Sequence, residues 1–425
     1  MKQISILIVT IIFSLNSFAQ IGSPTQLAGG DINTITTAVP FLLIAPESRG
    51  GAMGDIGVAT TPDVNSMHYN PAKYAFIKKD VGVSVSYSPW LRALVDDINL
   101  AYLSGYKKFG KNQVISGSLR YFSLGSITFT NEQGNNMGDF NPNEFAIDAA
   151  YSRLFSDRIS GSIAMRYINS NLTLRQYVGG VESKPGQAVA ADVSVYYQND
   201  DDIKIQGKDA TLGLGLNISN IGNKMSYTEN EDKDPIPTNL RLGSALTLEL
   251  DEYNKIMITG EVAKLLVPSP PVYYAVGDVM PNGDTVTVSG KYVHYGYDPN
   301  VSVPVGMYQS FYDAPGVQLD PENPDDRSVF KEEMHEINYA LGMEYWYSDQ
   351  FALRAGYFYE HATKGNRKFF TVGLGLRLNV FALDFSYLIP VNQRNPLEHT
   401  LRFTLSFNFE GLKDEAKDNT KNAVE

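Results

Sequence analysis

The chain has 425 residues, a formal net charge of −12 and no cysteine. An acidic chain of this kind is repelled by the phosphate backbone, so we expect no nucleic-acid partner. The lack of cysteine excludes disulfides and thiol chemistry.

The first 19 residues are predicted to be a secretory signal peptide. Lys2 precedes an apolar run at residues 4–15, and Asn-Ser-Phe-Ala follows at 16–19. A positive start, a short apolar stretch and a small-residue end are typical of such peptides. The run is too short to cross a bilayer as a helix, which needs about 20 residues. The alternative is an ordinary buried helix.

Residues 20–79 are predicted to form an N-terminal segment and plug that does not alternate like a strand. Its sequence SRGGAMGDIGVATTPDVNSMHYNPAKYAF (48–76) is rich in small residues. Gly51, Gly54 and Gly57 allow a tight backbone path, and Asn70-Pro71 favours a turn before the first strand. The glycines also resemble a phosphate-binding loop, but no strand precedes them in the required context. We expect the segment to fold into a barrel lumen.

Strict alternation of apolar and polar residues dominates the rest of the chain. In LRFTLSFNFE (401–410) leucine and phenylalanine occupy one face, and arginine, threonine, serine, asparagine and glutamate occupy the other. About 14 candidate strands share this tendency. They lie near 81–89, 97–107, 113–130, 144–155, 160–173, 188–199, 211–226, 238–251, 255–267, 336–348, 350–361, 367–379, 381–391 and 399–410.

The connections between these strands alternate between a few residues and long loops, which is typical of outer-membrane barrels. No segment after the first 19 residues has 18 uninterrupted apolar residues, so helical spans are not expected. The 26 tyrosines and 21 phenylalanines suit a water–lipid boundary. We predict an all-β fold: a 14-stranded antiparallel transmembrane β-barrel at 80–411 with an N-terminal lumenal plug. Residues 412–425 would form a charged periplasmic tail. A soluble β-sandwich is the alternative.

Charged residues of both signs fall on the predicted inner face and are expected to pair with one another or with water. They are Arg120, Asp148, Arg166, Asp192, Arg241, Glu249, Glu344, Arg354, Arg377, Asp384 and Arg402. A transport path is the alternative reading of this set. Such a lumen disfavours an apolar channel.

The longest connection contains VPVGMYQSFYDAP (303–315), in which neither a helical nor a strand period is clear. We predict that this loop binds a partner, because aromatic residues and methionine anchor protein interfaces. The predicted partner-binding residues are Val305, Met307, Tyr308, Phe311 and Tyr312, with Trp90, Leu91 and Leu94 as a possible secondary contact. The alternative is a loop that folds back over the barrel mouth.

Catalytic motifs are not evident. None of the five histidines has metal-ligand spacing with another, and neither HExxH nor GxSxG occurs. The acidic run DPENPDD (320–326) lacks the spacing and central glycine of an EF-hand loop. We therefore predict no enzyme activity, no catalytic residue, no metal and no cofactor.

Six phrases of the sequence resemble the FadL-like outer-membrane proteins of Bacteroidetes and, more narrowly, the PorV family of the type IX secretion system. They are NTITTAVPFLLIAPESRGGAMGDIGVAT (33–60), MHYNPAKYAF (67–76), SPWLRALVDDINLAYLSGY (88–106), LRYFSLGSITFT (119–130), GDFNPNEFAIDAAYSRLF (138–155) and VPVGMYQSFYDAP (303–315). The Asn-Pro-Ala motif alone indicates only a FadL-like protein. The phrases at 88–106, 138–155 and 303–315 point to the narrower family.

The resemblance implies a 14-stranded, non-enzymatic barrel that associates with the giant translocon barrel of the type IX system. It implies that cargo proteins are received through their C-terminal sorting domains and passed to the surface attachment and sortase complex. Outer-membrane lipid would surround the barrel, with long loops outside the cell. The alternatives are a FadL-like passive transporter of hydrophobic small molecules and a porin-like structural barrel.

Overall fold

The structure, a computed structural model, describes residues 32–409 except 93–94, 131–133, 173–176, 179–180, 201–202, 229–232 and 393–394. The predicted signal peptide, the tail at 412–425 and Leu94 lie outside the described residues. Among the described residues, no helix is both long enough and apolar enough to cross a membrane.

Fourteen long antiparallel strands of the described chain form one sheet. In chain order they are β1 (Val81–Pro89), β2 (Asn99–Phe109), β3 (Gln113–Ser123), β4 (Asn143–Ser156), β5 (Ile159–Asn171), β6 (Gly186–Asn199), β7 (Lys208–Gly222), β8 (Asn239–Glu249), β9 (Asn254–Leu265), β10 (Asn338–Tyr347), β11 (Phe351–Tyr359), β12 (Lys368–Leu378), β13 (Phe381–Pro390) and β14 (Leu401–Phe409).

The sheet closes on itself because β1 pairs with β14 as well as with β2. Val85 lies opposite Leu405 in the closing pair. Closure satisfies the backbone hydrogen bonds of every barrel strand and removes the free edges that an open sheet would expose. The prediction of a closed 14-stranded antiparallel barrel is confirmed.

Polarity in the strands is reversed relative to a soluble protein. In β1, Ser84, Ser86 and Ser88 are buried inside the barrel, whereas Val85 and Tyr87 are 53% and 48% exposed on the outside. A continuous apolar exterior of this kind favours contact with lipid, while the polar interior is solvated or paired.

Connections on the two ends of the barrel differ in length. One end has turns such as 157–158 and 379–380, and the other has loops such as 124–142 and 266–337. The longest loop contains the hairpin strands Val272–Tyr273 and Val293–Tyr295, the hairpin strands Val317–Asp320 and Asn323–Ser328, and helices α3 (Val303–Gln309) and α4 (Val329–His335). It is therefore a folded subdomain.

One predicted strand is too long. The candidate at 113–130 ends at Ser123, and Ile127–Thr130 instead pairs with Asn136–Phe140 in a separate hairpin. Gly125 adopts a φ of 81°, a left-handed conformation that interrupts the strand and that glycine tolerates.

Residues 38–77, here called the inner segment, cross the barrel interior from the long-loop end to the short-turn end. The segment contains helices α1 (Ser48–Gly51) and α2 (Ser66–Tyr69) and the 3-10 helices Pro40–Leu43 and Pro71–Phe76. Just before it, the Asn33 N–H donates to Thr363 O between β11 and β12 at 3.0 Å. At its other end, Lys108 Nζ donates to Ile77 O at 2.9 Å, near the turn between β2 and β3.

The apolar core lies between the inner segment and the wall. Phe41 and Leu42 pack with Leu100, Phe122 and other inward-facing side chains toward the long-loop end. A second cluster, around Met67, Tyr74 and Tyr106, lies toward the short turns. The interior is therefore packed by the protein's own chain.

Candidate functional site

The predicted partner-binding loop is partly helical. Residues 303–309 form α3, and Pro304 lies in its first turn, where a proline has no intrahelical hydrogen bond to lose. The description of 303–315 as a loop without secondary structure was wrong for residues 303–309, because a helix of seven residues is too short to display a clear period in the sequence.

Most of the predicted contact residues on and after α3 are exposed. Tyr308 is 72% exposed, Phe311 50%, Val305 49% and Tyr312 41%, while Met307 is half-buried. The rings of Tyr308 and Tyr312 meet edge to face with centroids 5.5 Å apart. We call residues 305–312 the aromatic knob.

Sequence reasoning missed a second exposed apolar group in the same long loop. Phe330 on α4 is 74% exposed, and Met334 one turn later is 39% exposed. Helix α4 contacts the chain just after the knob, where the Ala314 N–H donates to Glu333 Oε1 at 3.0 Å. The sequence signal for this group was the spacing of Phe330 and Met334, which are four residues apart with three charged residues between them.

A cluster of buried charges holds the base of the long loop against the barrel. Lys264 Nζ lies 2.9 Å from Glu333 Oε2 and 2.6 Å from Glu336 Oε2. Lys364 Nζ lies 2.7 Å from Glu332 Oε1 and 2.9 Å from Glu336 Oε1. Two lysines on the barrel side thus form ion pairs with three carboxylates of α4 and its C-cap. These pairs anchor the base of the long loop, while the aromatic knob stays exposed.

A stacked histidine pair lies at the same junction. The rings of His335 on α4 and His361 after β11 are 3.5 Å apart and within 10° of parallel. Burial and the neighbouring His335, Lys368 and Lys364 lower the pKa of His361 to about 4. Burial together with Lys331 and Lys364 also lowers the pKa of His335.

Acidification is expected to loosen α4 from the barrel. Docking of α4 lowers the pKa of His361 from 6.5 to about 4, so the docked state favours the neutral imidazole. Docking is therefore most stable above pH 6.5 and becomes less stable as the pH falls toward 4. Spin labels at Phe330→Cys and Leu341→Cys, in a chain without native cysteine, should give one narrow distance at pH 7.5 and a broad distribution at pH 5.

His361→Gln is the matched control for this prediction, because it keeps a neutral polar side chain at all pH values and should remain narrow at pH 5. Burial raises the pKa of Asp313 to about 7, so this carboxyl group favours docking in acid and opposes the histidines. A loop that tightens on acidification would contradict the histidine explanation.

The shorter loop contributes less exposed surface. Trp90 is half-buried and packs against the apolar cluster of Phe41 and Leu42, with the Arg402 guanidinium 5.8 Å from its ring. Leu91 is half-buried with a positive φ of 50°. Of the predicted secondary-contact residues, Trp90 is therefore turned toward the mouth of the lumen.

The glycines of the inner segment lie where another group comes very close. Gly54 has a φ of 81°, and a Cβ there would lie 2.8 Å from Tyr357 O of the wall. A Cβ at Gly57 would overlap the Tyr69 ring, and one at Gly51 would lie 2.6 Å from Arg402 Nη1. The glycines thus let the backbone pass close to the wall and to large side chains.

Asn70 and Pro71 connect the inner segment to the wall. Asn70 Oδ1 accepts from the Ala72 N–H at 3.0 Å, and Asn70 Nδ2 donates to Val195 O of β6 at 3.0 Å. Pro71 begins a 3-10 helix, and its carbonyl accepts from Ser152 Oγ of β4 at 2.8 Å.

Buried ion pairs join the inner segment to the barrel. Arg49 Nη2 lies 2.7 Å from Glu344 Oε1 on β10, and Arg354 Nε on β11 lies 2.6 Å from Glu344 Oε2. Arg354 Nη1 also lies 2.7 Å from Asp384 Oδ1 on β13. Glu344 is therefore shared by two arginines in a buried network.

Most of the predicted inner-face charges are also paired, chiefly between neighbouring strands of the wall. Arg166 joins Asp148 at 2.5 Å and Asp192 at 3.0 Å, and Arg241 joins Glu261 at 2.9 Å. Glu249 departs from this pattern, because it lies at the short-turn end with its side chain 52% exposed.

One cavity of about 60 Å³ lies between the inner segment and the wall. Its lining mixes charge with aromatic rings, as in Asp55, Arg241, Glu261 and Phe358. Within the described part of the chain, no group of three or more histidine or carboxylate side chains is placed to hold a metal ion.

The closed barrel, the apolar exterior, the packed polar interior and the unequal loops define an outer-membrane-type β-barrel. A family model described as "Type IX secretion system protein PorV" matches residues 28–272, more than half of the chain. The chain belongs to the PorV family, and it is an outer-membrane β-barrel protein of that family.

Several solved structures are similar to this chain over most of its length. They include the "CymD monoaromatic hydrocarbon channel" (12% identity, 87% of this chain and 99% of that chain, TM-score 0.45). Another is the Pseudomonas putida toluene transporter TodX (13% identity, 89% of this chain and 100% of that chain, TM-score 0.44). A third is a Pseudomonas aeruginosa FadL homologue (10% identity, 89% of this chain and 100% of that chain, TM-score 0.41). No curated protein matches the sequence.

Proposed function

We propose that this protein is a non-enzymatic, outer-membrane subunit of the type IX secretion system that binds the translocon barrel and receives cargo through its C-terminal sorting domain. It then passes the cargo to the surface attachment and sortase complex. The function is recognition and transfer, with no covalent chemistry performed by this chain.

The observation that carries the proposal is the aromatic knob. Helix α4 is anchored to the barrel by buried ion pairs. In the same long loop, α3 and the residues just after it expose Tyr308, Phe311 and Tyr312 at the long-loop end. A loop that covered its own barrel mouth would bury these rings. Burying each large side chain against a partner contributes about 1.5–3 kcal/mol before the costs of association.

In this proposal the long loops face the cell exterior, and the short turns and the C-terminal tail face the periplasm. The inner segment acts as a plug that fills the lumen. Passage of hydrophobic molecules, the competing function, would need an apolar route, and the buried pairs Arg49–Glu344 and Arg166–Asp192 oppose one.

The test is a pull-down of the tagged protein from native outer membranes, with surface cargo scored by mass spectrometry. The native protein should recover a very large barrel protein and cargo bearing the sorting domain. Tyr308→Ser/Phe311→Ser should reduce recovery of at least one of them more than tenfold, because each ring is worth about 1.5–3 kcal/mol.

Val276→Ser/Val279→Ser is the matched control. These valines are 61% and 66% exposed in the same long loop but lie outside the knob, so the control should recover partners normally. If native and knob variant are both recovered alone while cargo still reaches the surface, the proposal fails. Uptake of hydrophobic molecules then becomes the function to measure.

A further inference from the structure

The short-turn rim of the barrel has an uneven distribution of charge. Residues 78–80, 107–112 and 153–158, around the ends of β1–β5, contain seven basic and two acidic residues. Residues 203–209, 249–255 and 348–350, around the ends of β6–β11, contain three basic and five acidic residues. These two parts of the rim, each here called a half, therefore carry opposite net charge.

Two of the basic residues point outward at the level where the apolar wall ends. Lys107 on β2 is exposed. On the same outer face of β2, the exposed side chains of Leu103 and Phe109 lie before and after it. Arg153 on β4 is exposed between Tyr151 and Phe155, which are 44% and 68% exposed. Aromatic side chains at this level are typical of a membrane–water interface.

The register places these cations a headgroup's width apart. Lys107 lies opposite Ile115, Ile115 opposite Tyr151, and Arg153 opposite Gln113. Lys107 and Arg153 are thus two strands apart, about 10 Å across the sheet. Lys107 Nζ lies 5.4 Å from the centre of the Phe109 ring, so the cation stays beside the apolar wall.

In the described residues of the opposite half of the rim, two of the three lysines are paired with carboxylates. Lys255 is held by Glu249 at 3.3 Å and by Asp349 at 3.0 Å. Lys204 is paired with Asp209 at 3.2 Å.

We propose that Lys78, Lys107, Lys111 and Arg153, here called the basic arc, bind the anionic headgroups of phospholipids at the short-turn leaflet. The positive charge of the arc favours phosphate groups. Because Lys107 and Arg153 point outward beside Phe109 and Phe155, the favoured phosphate is one attached to acyl chains. The inference rests on the membrane-embedded barrel alone, so it can fail while the secretion role stands, and the reverse.

The experiment is native mass spectrometry of the full chain in neutral detergent, titrated with phosphatidylglycerol or with phosphatidylcholine of the same acyl chains. The native protein should retain phosphatidylglycerol preferentially at low salt and lose the preference at high salt. Lys107→Gln/Arg153→Gln should weaken phosphatidylglycerol binding about fivefold per cation removed.

Two further variants keep the test decisive. Lys204→Gln/Lys208→Gln removes two exposed cations from the opposite half of the rim and should bind like the native protein. Lys107→Arg/Arg153→Lys keeps the charge and should retain the preference. Equal retention of both lipids by the native protein, or equal loss in the opposite-rim variant, overturns the proposal. Displacement of the lipid by millimolar glycerol phosphate would assign the arc to free phosphate and also overturn it.

Discussion

Glu344→Gln is expected to lower the free energy of unfolding by about 3–5 kcal/mol, the usual cost of breaking a buried ion pair from one side. Glu344 is 1% exposed and receives hydrogen bonds from both Arg49 and Arg354. Glutamine keeps the shape but leaves two buried guanidinium groups without their shared charge. Urea unfolding in lipid vesicles measures the loss, and Trp346 reports it, since the Arg354 guanidinium lies 5.4 Å from its ring.

Glu249→Gln is the matched control for Glu344→Gln. It is the same substitution on β8, two strands away in the sheet, but Glu249 is half-exposed and its partner Lys255 is 3.3 Å away. An exposed pair contributes at most about 1 kcal/mol, so the control should unfold nearly as the native protein does. Equal losses in the two variants would show that the buried network does not hold the inner segment in place.

Gly356→Leu is expected to push the inner segment off the wall and open the barrel to ions. Gly356 faces the lumen on β11, and even a Cβ there would overlap the backbone of Met53 and Gly54. Backbone atoms cannot rotate away as a side chain can, and over-packing of this kind typically costs about 1–3 kcal/mol. In planar bilayers the native protein should be silent, whereas the variant should show channel openings.

Gly260→Ala provides the control for the conductance experiment. Gly260 faces outward on β9, where a Cβ would be 3.5 Å from Leu341 Cδ2, an ordinary contact. This variant should remain silent. Heat-dependent gel mobility separates a folded, open Gly356→Leu barrel from a misfolded one. A folded and silent Gly356→Leu would contradict the role of the inner segment as a plug.

The sequence by itself determined the barrel, its strand number and which side chains face outward. A lipid-facing strand must alternate with period two, and residues such as Val85 and Leu405 mark their face without knowledge of their neighbours. The glycines and the Asn-Pro pair of residues 48–76 likewise indicated an irregular inner path, because those residue types permit it locally.

Only the tertiary structure decided which groups meet. Arg49 and Glu344 are 295 residues apart, and nothing local to either identifies the other. The closed sheet brings them together, as it brings Lys264 and Lys364 to the carboxylates of α4. Helix α3 was also beyond sequence reasoning, because seven residues give only two turns of period, and a helix this short is stabilised by its tertiary surroundings more than by its own sequence.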